Sequence, residues 1–447
     1  MRRLTSFFDQ LRRRGSSLRE SRLARETGWL VSAKLVQGIS SVLATMVVAR
    51  HLGPGVFGQL SIAVATASLV ATSAALGLES IATRELSLPS QLAARSSVVS
   101  TLRRLRALGA GLGTLLLLIM ALTPIAEKHA ISALLLVLCL LPIAQVGDLH
   151  EWRLIAAGKS KVVALIAVLV SPAAALVRLG LAIAGSGVFA FAWILVFEWV
   201  ARSMLLAIAG RALSQADSIA DQDFAPRAMG LLRESMPLLL AGIAVFVYMR
   251  IDQFMIAGML DPRSVGLYSA IVTLSEVPLV LPVLLLRAAL PTLTIQAAED
   301  PDAMNRTFVR LLRFCFYLHA AGAVIASISA EFIVEILFGS SYRDASFAFR
   351  ILVLGAPFVA LGVISSAWLV INRCTKHAFH RTILGALTNI GLNFALIPAY
   401  GIGGAAMATV AAFAVASLLA DLLYPQSREL FWLKLYAMTG WKRRQPL

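Results

Sequence analysis

The sequence predicts an all-α membrane protein with about 12 transmembrane helices. Two observations support this prediction: the apolar segments between Trp29 and Tyr424 have the length of bilayer spans, and the connections between them alternate in charge. A span needs about 20 mostly apolar residues. The composition agrees, because 59% of the residues are hydrophobic and the mean hydropathy is +0.81, whereas soluble domains contain about 45–50% apolar residues.

The predicted spans, in chain order, cover residues 29–50, 58–81, 107–124, 131–148, 162–184, 188–209, 234–258, 266–292, 314–334, 348–370, 382–400 and 405–424. They divide the chain into a basic arm over 1–28, a six-helix bundle over 29–209, a cytoplasmic linker over 210–233, a second six-helix bundle over 234–424 and a basic tail over 425–447. The arm has apolar Leu4, Phe7, Phe8 and Leu11 beside several arginines. This spacing fits an amphipathic helix on the anionic inner leaflet, and a disordered basic tail is the alternative.

The net charge of +16 comes from an asymmetry between the two sides of the predicted membrane protein. The arm, the tail and the loops on one side hold about 30 Lys and Arg residues. One of these loops contains Arg95, Arg103, Arg104 and Arg106. The opposite loops contain only Lys128, Arg263 and Arg343. Basic loops face the cytoplasm, so we predict a bacterial inner-membrane protein with both termini cytoplasmic and no nucleic-acid partner.

A short internal repeat relates the two predicted bundles. Residues 51–61 follow the first span, and residues 259–269 follow the seventh. Four aligned positions are identical: Leu52 with Leu260, Pro54 with Pro262, Gly58 with Gly266 and Ser61 with Ser269. Because six spans separate the segments, both bundles begin facing the same way. The pattern indicates a parallel repeat about an axis along the membrane normal, and a chance match within a short turn is the alternative.

Charged residues within spans are the main candidates for function, because burying a charge in lipid is costly. In the seventh span, Arg250 and Asp252 lie on the order of 10 Å inside the outer edge and point roughly 200° apart, so they are not expected to pair. Glu276 in the eighth span lies at a similar depth and is the expected partner of Arg250. Two interpretations stay open: a site that faces a cavity, or a structural clamp between helices.

Cationic and polar residues in the first half provide further candidates. The first span carries a polar stripe of Lys34, Gln37, Ser41 and Thr45 at helical spacing. Such a stripe faces protein or water rather than lipid, although Lys34 can also snorkel to the inner headgroups. Arg178 in the fifth span is another cationic candidate, and snorkelling at the outer end is the alternative for it.

Two pairs of polar residues have i,i+4 spacing. Glu198 and Arg202 in the sixth span predict an intrahelical ion pair and are also candidates for ion coupling. Asn389 and Asn393 in the eleventh span predict either helix–helix contacts or sugar contacts in a cavity. His319 in the ninth span is expected to be a hydrogen-bonded packing residue.

Motifs of soluble enzymes are missing from the sequence. There is no GxxxxGKS/T loop for nucleotide hydrolysis, no HExxH and no GxSxG. Cys139, Cys315 and Cys374 have neither CxxC nor metal-ligand spacing and are expected to be free thiols. We therefore predict a protein that is not an enzyme and has no resident cofactor or metal.

The sequence resembles the polysaccharide-biosynthesis flippases (Wzx-type or O-antigen flippases). They belong to a superfamily shared with multidrug and toxin extruders and lipid II flippases. The resemblance covers residues 29–424 and is carried by three motifs: ARHLGPGVFG after the first span, GLESIATRE at the end of the second, and RIDQFMIAGMLDPRSVGLYS from the seventh. It implies two six-helix lobes around a central cavity that opens alternately to each side.

The implied substrate is an undecaprenyl-diphosphate-linked oligosaccharide, moved from the cytoplasmic to the periplasmic leaflet and coupled to Na⁺ or H⁺. Other implied partners are membrane lipid and the polymerase and chain-length regulator of the pathway. Arg250 and Asp252 match the family's RID pattern. The remaining cavity candidates come from charge, polarity and depth: Lys34, Gln37, Arg178, Asn389 and Asn393. The candidates for coupling are Asp252, Glu276 and Glu198.

Three other functions fit parts of the pattern. A drug or cation antiporter of the same superfamily is expected to have an acidic, aromatic-lined cavity, whereas these spans carry cations at least as much as acids. A lipid II flippase often has two further spans, and none is predicted after Tyr424. A membrane glycan polymerase is expected to have a large periplasmic loop with catalytic Arg or His, and the largest external loop here, around residues 335–348, is too small.

Overall fold

The structure, a computed structural model, describes residues 22–87, 95–214 and 224–440. The predictions for the amphipathic arm and for the middle of the linker concern residues outside these ranges. The described chain consists of helices and short turns, without a β-strand. The predicted all-α class is therefore confirmed.

The α-helices are numbered in chain order: α1 Arg22–Ala74, α2 Leu78–Ser87, α3 Arg95–Ala121, α4 Pro124–Lys128, α5 Ser132–Leu138, α6 Leu141–Ala144, α7 Asp148–Ala156, α8 Ser160–Ile183, α9 Val188–Ser214, α10 Phe224–Met259, α11 Pro262–Glu276, α12 Val280–Glu299, α13 Pro301–Ile328, α14 Ala330–Phe338, α15 Ser346–Leu352, α16 Ala356–Ile371, α17 Thr375–Ser417 and α18 Arg428–Thr439. Short 3₁₀ segments join several of them, including Ser340–Ala345 before α15 and Leu419–Leu423 after α17.

Ten of the described helical segments are long and apolar enough to cross a membrane. Two of these segments each contain two predicted spans, because α1 bends at Gly53 and α17 bends at Gly401. Counting the two bent segments twice turns ten segments into the twelve expected spans. The protein is therefore a multi-pass membrane protein.

Glycine and proline explain the first bend. Gly53 has φ of 70° and ψ of 166°, a conformation that glycine adopts without a Cβ clash. Pro54 follows it, and proline has no N–H for the hydrogen bonds of a continuous helix. One turn before the bend, the hydroxyl of Tyr342 donates to the carbonyl oxygen of Ala49 at 2.9 Å. In α17, Gly401 has φ of 57° and ψ of −137°.

The structure corrects the predicted loop between the second and third spans. Because α3 begins at Arg95, the arginines assigned to that loop lie on a helix. Arg106 is fully buried, and its guanidinium donates to the carbonyl oxygens of Ala74 at 3.0 Å and Gln145 at 2.8 Å. It also lies 5.8 Å from the ring centre of Trp152. Ala74 ends α1, and the free carbonyls of a helix end need donors, which accounts for a cation in the interior.

Contacts within the chain define two compact units. The first comprises the residues up to Val48 and Ala63–Ile243, and the second comprises Ala49–Ile62 and the residues from Ala244 onward. Each unit has its own apolar core, around Trp152 in the first and around Trp368 in the second. The segment Ala49–Ile62 is called the strap below. The predicted bundle boundaries at 209, 234 and 424 stay predictions.

Candidate functional site

Arg250 in α10 forms an ion pair with Glu276 at the end of α11, as the sequence predicts. Nη2 of Arg250 lies 3.3 Å from Oε1 of Glu276. The two side chains are 30% and 32% exposed, so the pair is open rather than enclosed. An accessible ion pair can exchange one partner for a charged ligand, because neither group is left buried and uncompensated during the exchange.

Asp252 has different surroundings, in a buried polar network of the second unit. Its Oδ2 accepts a hydrogen bond from the hydroxyl of Tyr268 at 2.5 Å and lies 3.2 Å from Oγ1 of Thr409. Nδ2 of Asn389 donates to the same threonine oxygen at 3.3 Å, and Nδ2 of Asn393 donates to Asn389 at 2.9 Å. Asp252 is 5% exposed and has no ion pair within the described part of the chain. The carboxylate of Asp252 is therefore held by neutral hydroxyl groups rather than by a direct ion pair.

One cavity of the second unit is lined by both Asp252 and Glu276. Its polar side is lined by Tyr248, Asp252, Ser275, Glu276 and Thr409, with Phe413 beside them. None of its described lining residues is basic. Carboxylate and hydroxyl oxygens are ligands for small hard cations and for protons. The lining of this cavity therefore suits a proton or a small cation better than an anionic group.

Asn389 and Asn393 lie in the packed interior, with exposures of 2% and 0%. Their hydrogen bonds link the two parts of α17 on either side of its bend to the network of Asp252. This burial favours the helix–helix interpretation over contacts with sugar. His319 is a hydrogen-bonded packing residue, as predicted: its ring nitrogens lie 2.7 Å from the carbonyl of Cys315 and 3.1 Å from that of Pro278.

The predicted intrahelical pair of Glu198 and Arg202 is wrong. Glu198 accepts from Arg178 of α8, with 2.6 Å between Oε2 and Nη2, and Arg202 donates to Glu151 of α7, also at 2.6 Å. Each charge therefore meets its opposite on a neighbouring helix, and the two ion pairs join α7, α8 and α9. Arg178 is 7% exposed, so it does not snorkel to a headgroup.

Lys34 and Gln37 remain cavity candidates on α1. Lys34 is exposed and Gln37 is half-buried. Lys34 forms no ion pair with any residue that the structure describes. Both interpretations of Lys34 stay open, because an exposed lysine on this helix can face a cavity or snorkel to the inner headgroups.

A buried charged cluster near the end of the second unit is not predicted by the sequence. Nζ of Lys434 in α18 donates to the carbonyl of Ser417 at 2.5 Å and to Oδ2 of Asp421 at 2.6 Å. Nε of Arg381 donates to the carbonyl of Ala416 at 2.8 Å and lies 3.6 Å from Asp421. Two cations thus bind the last carbonyls of α17. Burial, and then the charge of Arg381, lowers the pKa of Lys434 to about 7. The sequence shows Lys434 only as one of several basic residues in a tail, which gives no sign of its burial.

These features define a class: an all-helical, multi-pass membrane protein with charged groups inside its spans, as in transporters. Within that class, the chain belongs to the polysaccharide biosynthesis protein family, whose sequence profile matches residues 23–295. The family resemblance seen in the sequence is therefore confirmed. No curated protein shows significant sequence similarity to the chain.

Solved structures with a similar fold are transporters of the MOP superfamily. An inward-facing multidrug resistance MATE family transporter has a TM-score of 0.69 at 15% identity, over 89% of this chain and 96% of that chain. The lipid II flippase MurJ in an inward closed conformation has a TM-score of 0.71 at 14% identity, over 92% and 90%. A MOP superfamily transporter from Pyrococcus furiosus has a TM-score of 0.65 at 15% identity, over 92% and 96%. At these identities the similarity establishes the fold alone.

Proposed function

We propose that this protein is a flippase that moves an undecaprenyl-diphosphate-linked oligosaccharide from the cytoplasmic to the periplasmic leaflet of a bacterial inner membrane. Membership of the polysaccharide biosynthesis family carries the proposal. Both termini lie in the cytoplasm, as the charge asymmetry between the loops indicates. The product feeds exopolysaccharide or O-antigen synthesis, with the polymerase and chain-length regulator of the pathway as partners.

The chemistry of the cargo suits the cations within the spans. A lipid diphosphate carries about two to three negative charges, and it cannot cross hydrocarbon unaided. Arg250 is the best-placed group to receive it, because its ion pair with Glu276 is accessible. Lys34 adds an exposed cation without an ion-pair partner in the described chain. Arg178 is a weaker candidate, since it is buried against Glu198.

The cavity beside Asp252 supports a coupling role for the acidic residues. Binding of H⁺ or Na⁺ neutralises the buried carboxylate and removes the cost of its burial. Glu276 lines the same cavity and also contacts Arg250. Occupancy of the cavity by an ion therefore weakens the hold of Glu276 on Arg250 and frees the arginine for an anionic cargo. Glu198 is the weaker coupling candidate, because Arg178 already neutralises it.

One observation supports the alternative that the protein is a drug antiporter. Two carboxylates and two aromatic rings, those of Tyr248 and Phe413, line the cavity of the second unit. Multidrug and lipid II transporters share the fold, so the fold does not separate these functions. The Pyrococcus furiosus structure is described as having a binding pocket of reverse polarity, so pocket charge varies among proteins of this fold. The accessible Arg250 favours an anionic cargo for this chain.

The test is made on a strain that lacks the gene, by quantifying undecaprenyl-linked oligosaccharide in its membranes. We expect a complete repeat unit to accumulate on the cytoplasmic side and to disappear when the wild-type gene is restored. Absence of accumulation together with altered sensitivity to toxic cations would favour the drug antiporter. Accumulation of a lipid-linked peptidoglycan precursor would favour the lipid II flippase.

A further inference from the structure

The eighth span is broken between α11, which ends at Glu276, and α12, which begins at Val280. The 3₁₀ segment Val277–Leu279 joins the two helices. In a continuous α-helix, the carbonyl of Pro278 would accept a hydrogen bond from the N–H of the residue four positions later. That residue is Pro282, and proline has no N–H. The carbonyl of Pro278 therefore lacks its usual helical donor.

His319 of α13 supplies a donor from another helix. Its Nε2 lies 3.1 Å from the carbonyl oxygen of Pro278, and its Nδ1 lies 2.7 Å from the carbonyl oxygen of Cys315, one turn earlier in α13. Both neighbours are carbonyl oxygens, which only accept hydrogen bonds. A neutral imidazole has one N–H and one lone pair, so it satisfies one of the two contacts. The imidazolium has two N–H groups and satisfies both.

The surroundings of the ring hold this charge through hydrogen bonds rather than through an ion pair. α16, which packs along α13, contains no ionisable residue. None of the described ionisable side chains around α13 forms an ion pair or a hydrogen bond with the ring of His319, which is 5% exposed. Those on the elements packed against it include Glu276, Arg287, Glu331, Arg350 and Tyr436, and α13 itself adds Cys315 and Tyr317. Burial disfavours the charge and the second hydrogen bond favours it, so the proton can be bound and released.

The first unit meets the same need with a permanent cation. Its second span is interrupted after Ala74, where α1 ends, and Leu76 and Gly77 that follow have positive φ angles. Arg106 of α3, the next span, donates to the carbonyl of Ala74. In both units, a side chain of the third span thus donates to a carbonyl at the break in the second span. In the second unit, that side chain is one that can lose its charge.

We propose that His319 is a proton-binding residue of the transporter, and that its imidazolium fixes the break in the eighth span. When Nε2 releases its proton to water, its lone pair faces the carbonyl oxygen of Pro278 and the contact is lost, while Nδ1 keeps its hydrogen bond to Cys315. Glu276 lies two residues before Pro278, so its ion pair with Arg250 responds to the same proton. This last step, which makes H⁺ a coupling ion, rests on the proposed transport function.

The first experiment observes the ring itself and needs no substrate. Protein with ¹⁵N-labelled histidine in lipid nanodiscs is titrated from about pH 5 to about pH 8, the range in which imidazole groups change charge. The spectrum of His319→Gln identifies the signals of His319 among those of the six histidines. We expect both nitrogens of His319 to carry a proton at the acidic end, and Nε2 alone to lose it. A ring that keeps the same number of N–H groups throughout would overturn the proposal.

A second experiment tests why the proton is bound. Pro282→Ala restores the N–H that the carbonyl of Pro278 lacks, so the second N–H of His319 is no longer needed. We expect the ratio of protonated to neutral His319 at a given pH to fall about fivefold, the equivalent of one hydrogen bond. Pro291→Ala, in the same helix, is the matched control, because it adds an N–H one turn after Arg287 and should leave the titration unchanged. An unchanged titration in Pro282→Ala would contradict the proposal.

A third experiment measures transport in liposomes. The wild-type rate should change over the pH range in which His319 titrates. His319→Gln should lose that change, because its amide donates to Pro278 at every pH. His380→Gln should keep the wild-type profile, since His380 is exposed and stacks on Tyr424 with 5.3 Å between ring centres. A wild-type pH profile in a transporting His319→Gln protein would exclude this proton from the cycle. Absence of transport by the wild-type protein would count against the proposed function and leave the titration result intact.

Discussion

Arg250 and Asp252 are two residues apart on α10, yet one is in an accessible ion pair and the other is in a buried hydroxyl network. The helical rotation between them predicts that they do not pair with each other, and the structure agrees. The partners of Asp252 could not be predicted, because Tyr268 and Thr409 are 16 and 157 residues away in sequence. Only the packing of α11 and α17 against α10 brings them together.

Arg250→Ala should abolish transport while the protein still inserts into the membrane. The reason is that the substitution removes the accessible cation proposed to receive the diphosphate. Export of lipid-linked oligosaccharide in the complemented deletion strain measures the effect. Arg263→Ala is the control, because Arg263 forms a solvent-exposed ion pair with Asp344, and such pairs contribute only about 0–1 kcal/mol. Wild-type export by Arg250→Ala would remove Arg250 from the site.

Asp252→Asn should uncouple transport from the ion gradient. The amide cannot take up a proton, and it is a poorer cation ligand than a carboxylate, whereas its shape preserves the contacts with Tyr268 and Thr409. Glu276→Gln should change the ion dependence less, since Glu276 is partly exposed. Transport rates measured with and without imposed Na⁺ and proton gradients give the answer. An unaltered dependence in both variants contradicts the coupling assignment.

The helices of the first unit show why spacing within one helix can mislead. Glu198 and Arg202 have the spacing of an intrahelical pair, but α7 and α8 offer closer partners in Glu151 and Arg178. Sequence periodicity predicts which residues share a helix face, but not which charges lie on the facing helix. The breaks in the helices at Gly53 and Gly401 could be predicted from sequence, since each lies between two predicted spans.

Arg178→Ala should destabilise the first unit by about 3–5 kcal/mol, because it leaves Glu198 as an uncompensated charge in a poorly hydrated position. The double variant Arg178→Met/Glu198→Gln should recover much of this loss, since replacing both partners removes the unpaired charge. Thermal unfolding of the purified protein in detergent measures both. Equal losses for the single and the double variant would mean that the ion pair itself is not what stabilises the α8–α9 contact.

The packing of α18 against the end of α17 should become more stable as the pH rises from about 7 to about 10.4. The lower value is the pKa of Lys434 in the folded protein, and the upper value is the ordinary pKa of lysine. Over this range the undocked helix binds more protons than the docked one, so raising the pH favours docking. Asp421 and Arg381 are the charged groups that face the amine. Amide-exchange protection factors of α18 at pH 7 and pH 9 test this. Lys434→Met should abolish the trend, and falling protection in the wild type would contradict it.

The architecture of the whole molecule was accessible from sequence because lipid imposes a simple rule on every span: about 20 apolar residues with all backbone groups bonded internally. That rule predicts the helical class and the twelve spans without any need for a similar protein of known structure. The strap could not be predicted, because its packing with residues from Ala244 onward is a property of tertiary contacts. Gly58 and Gly266 lie against each other's segment of the internal repeat, a contact that aligning the two segments in sequence does not predict.

The most direct measurement of the flippase assignment uses purified protein in liposomes with a fluorescent undecaprenyl-diphosphate oligosaccharide in the inner leaflet. Loss of fluorescence to an impermeant quencher outside reports its arrival in the outer leaflet. We predict ion-gradient-dependent transfer by the wild-type protein and none by Arg250→Ala. Transfer no faster than in protein-free liposomes, by a protein that is folded and correctly inserted, would contradict the proposed function.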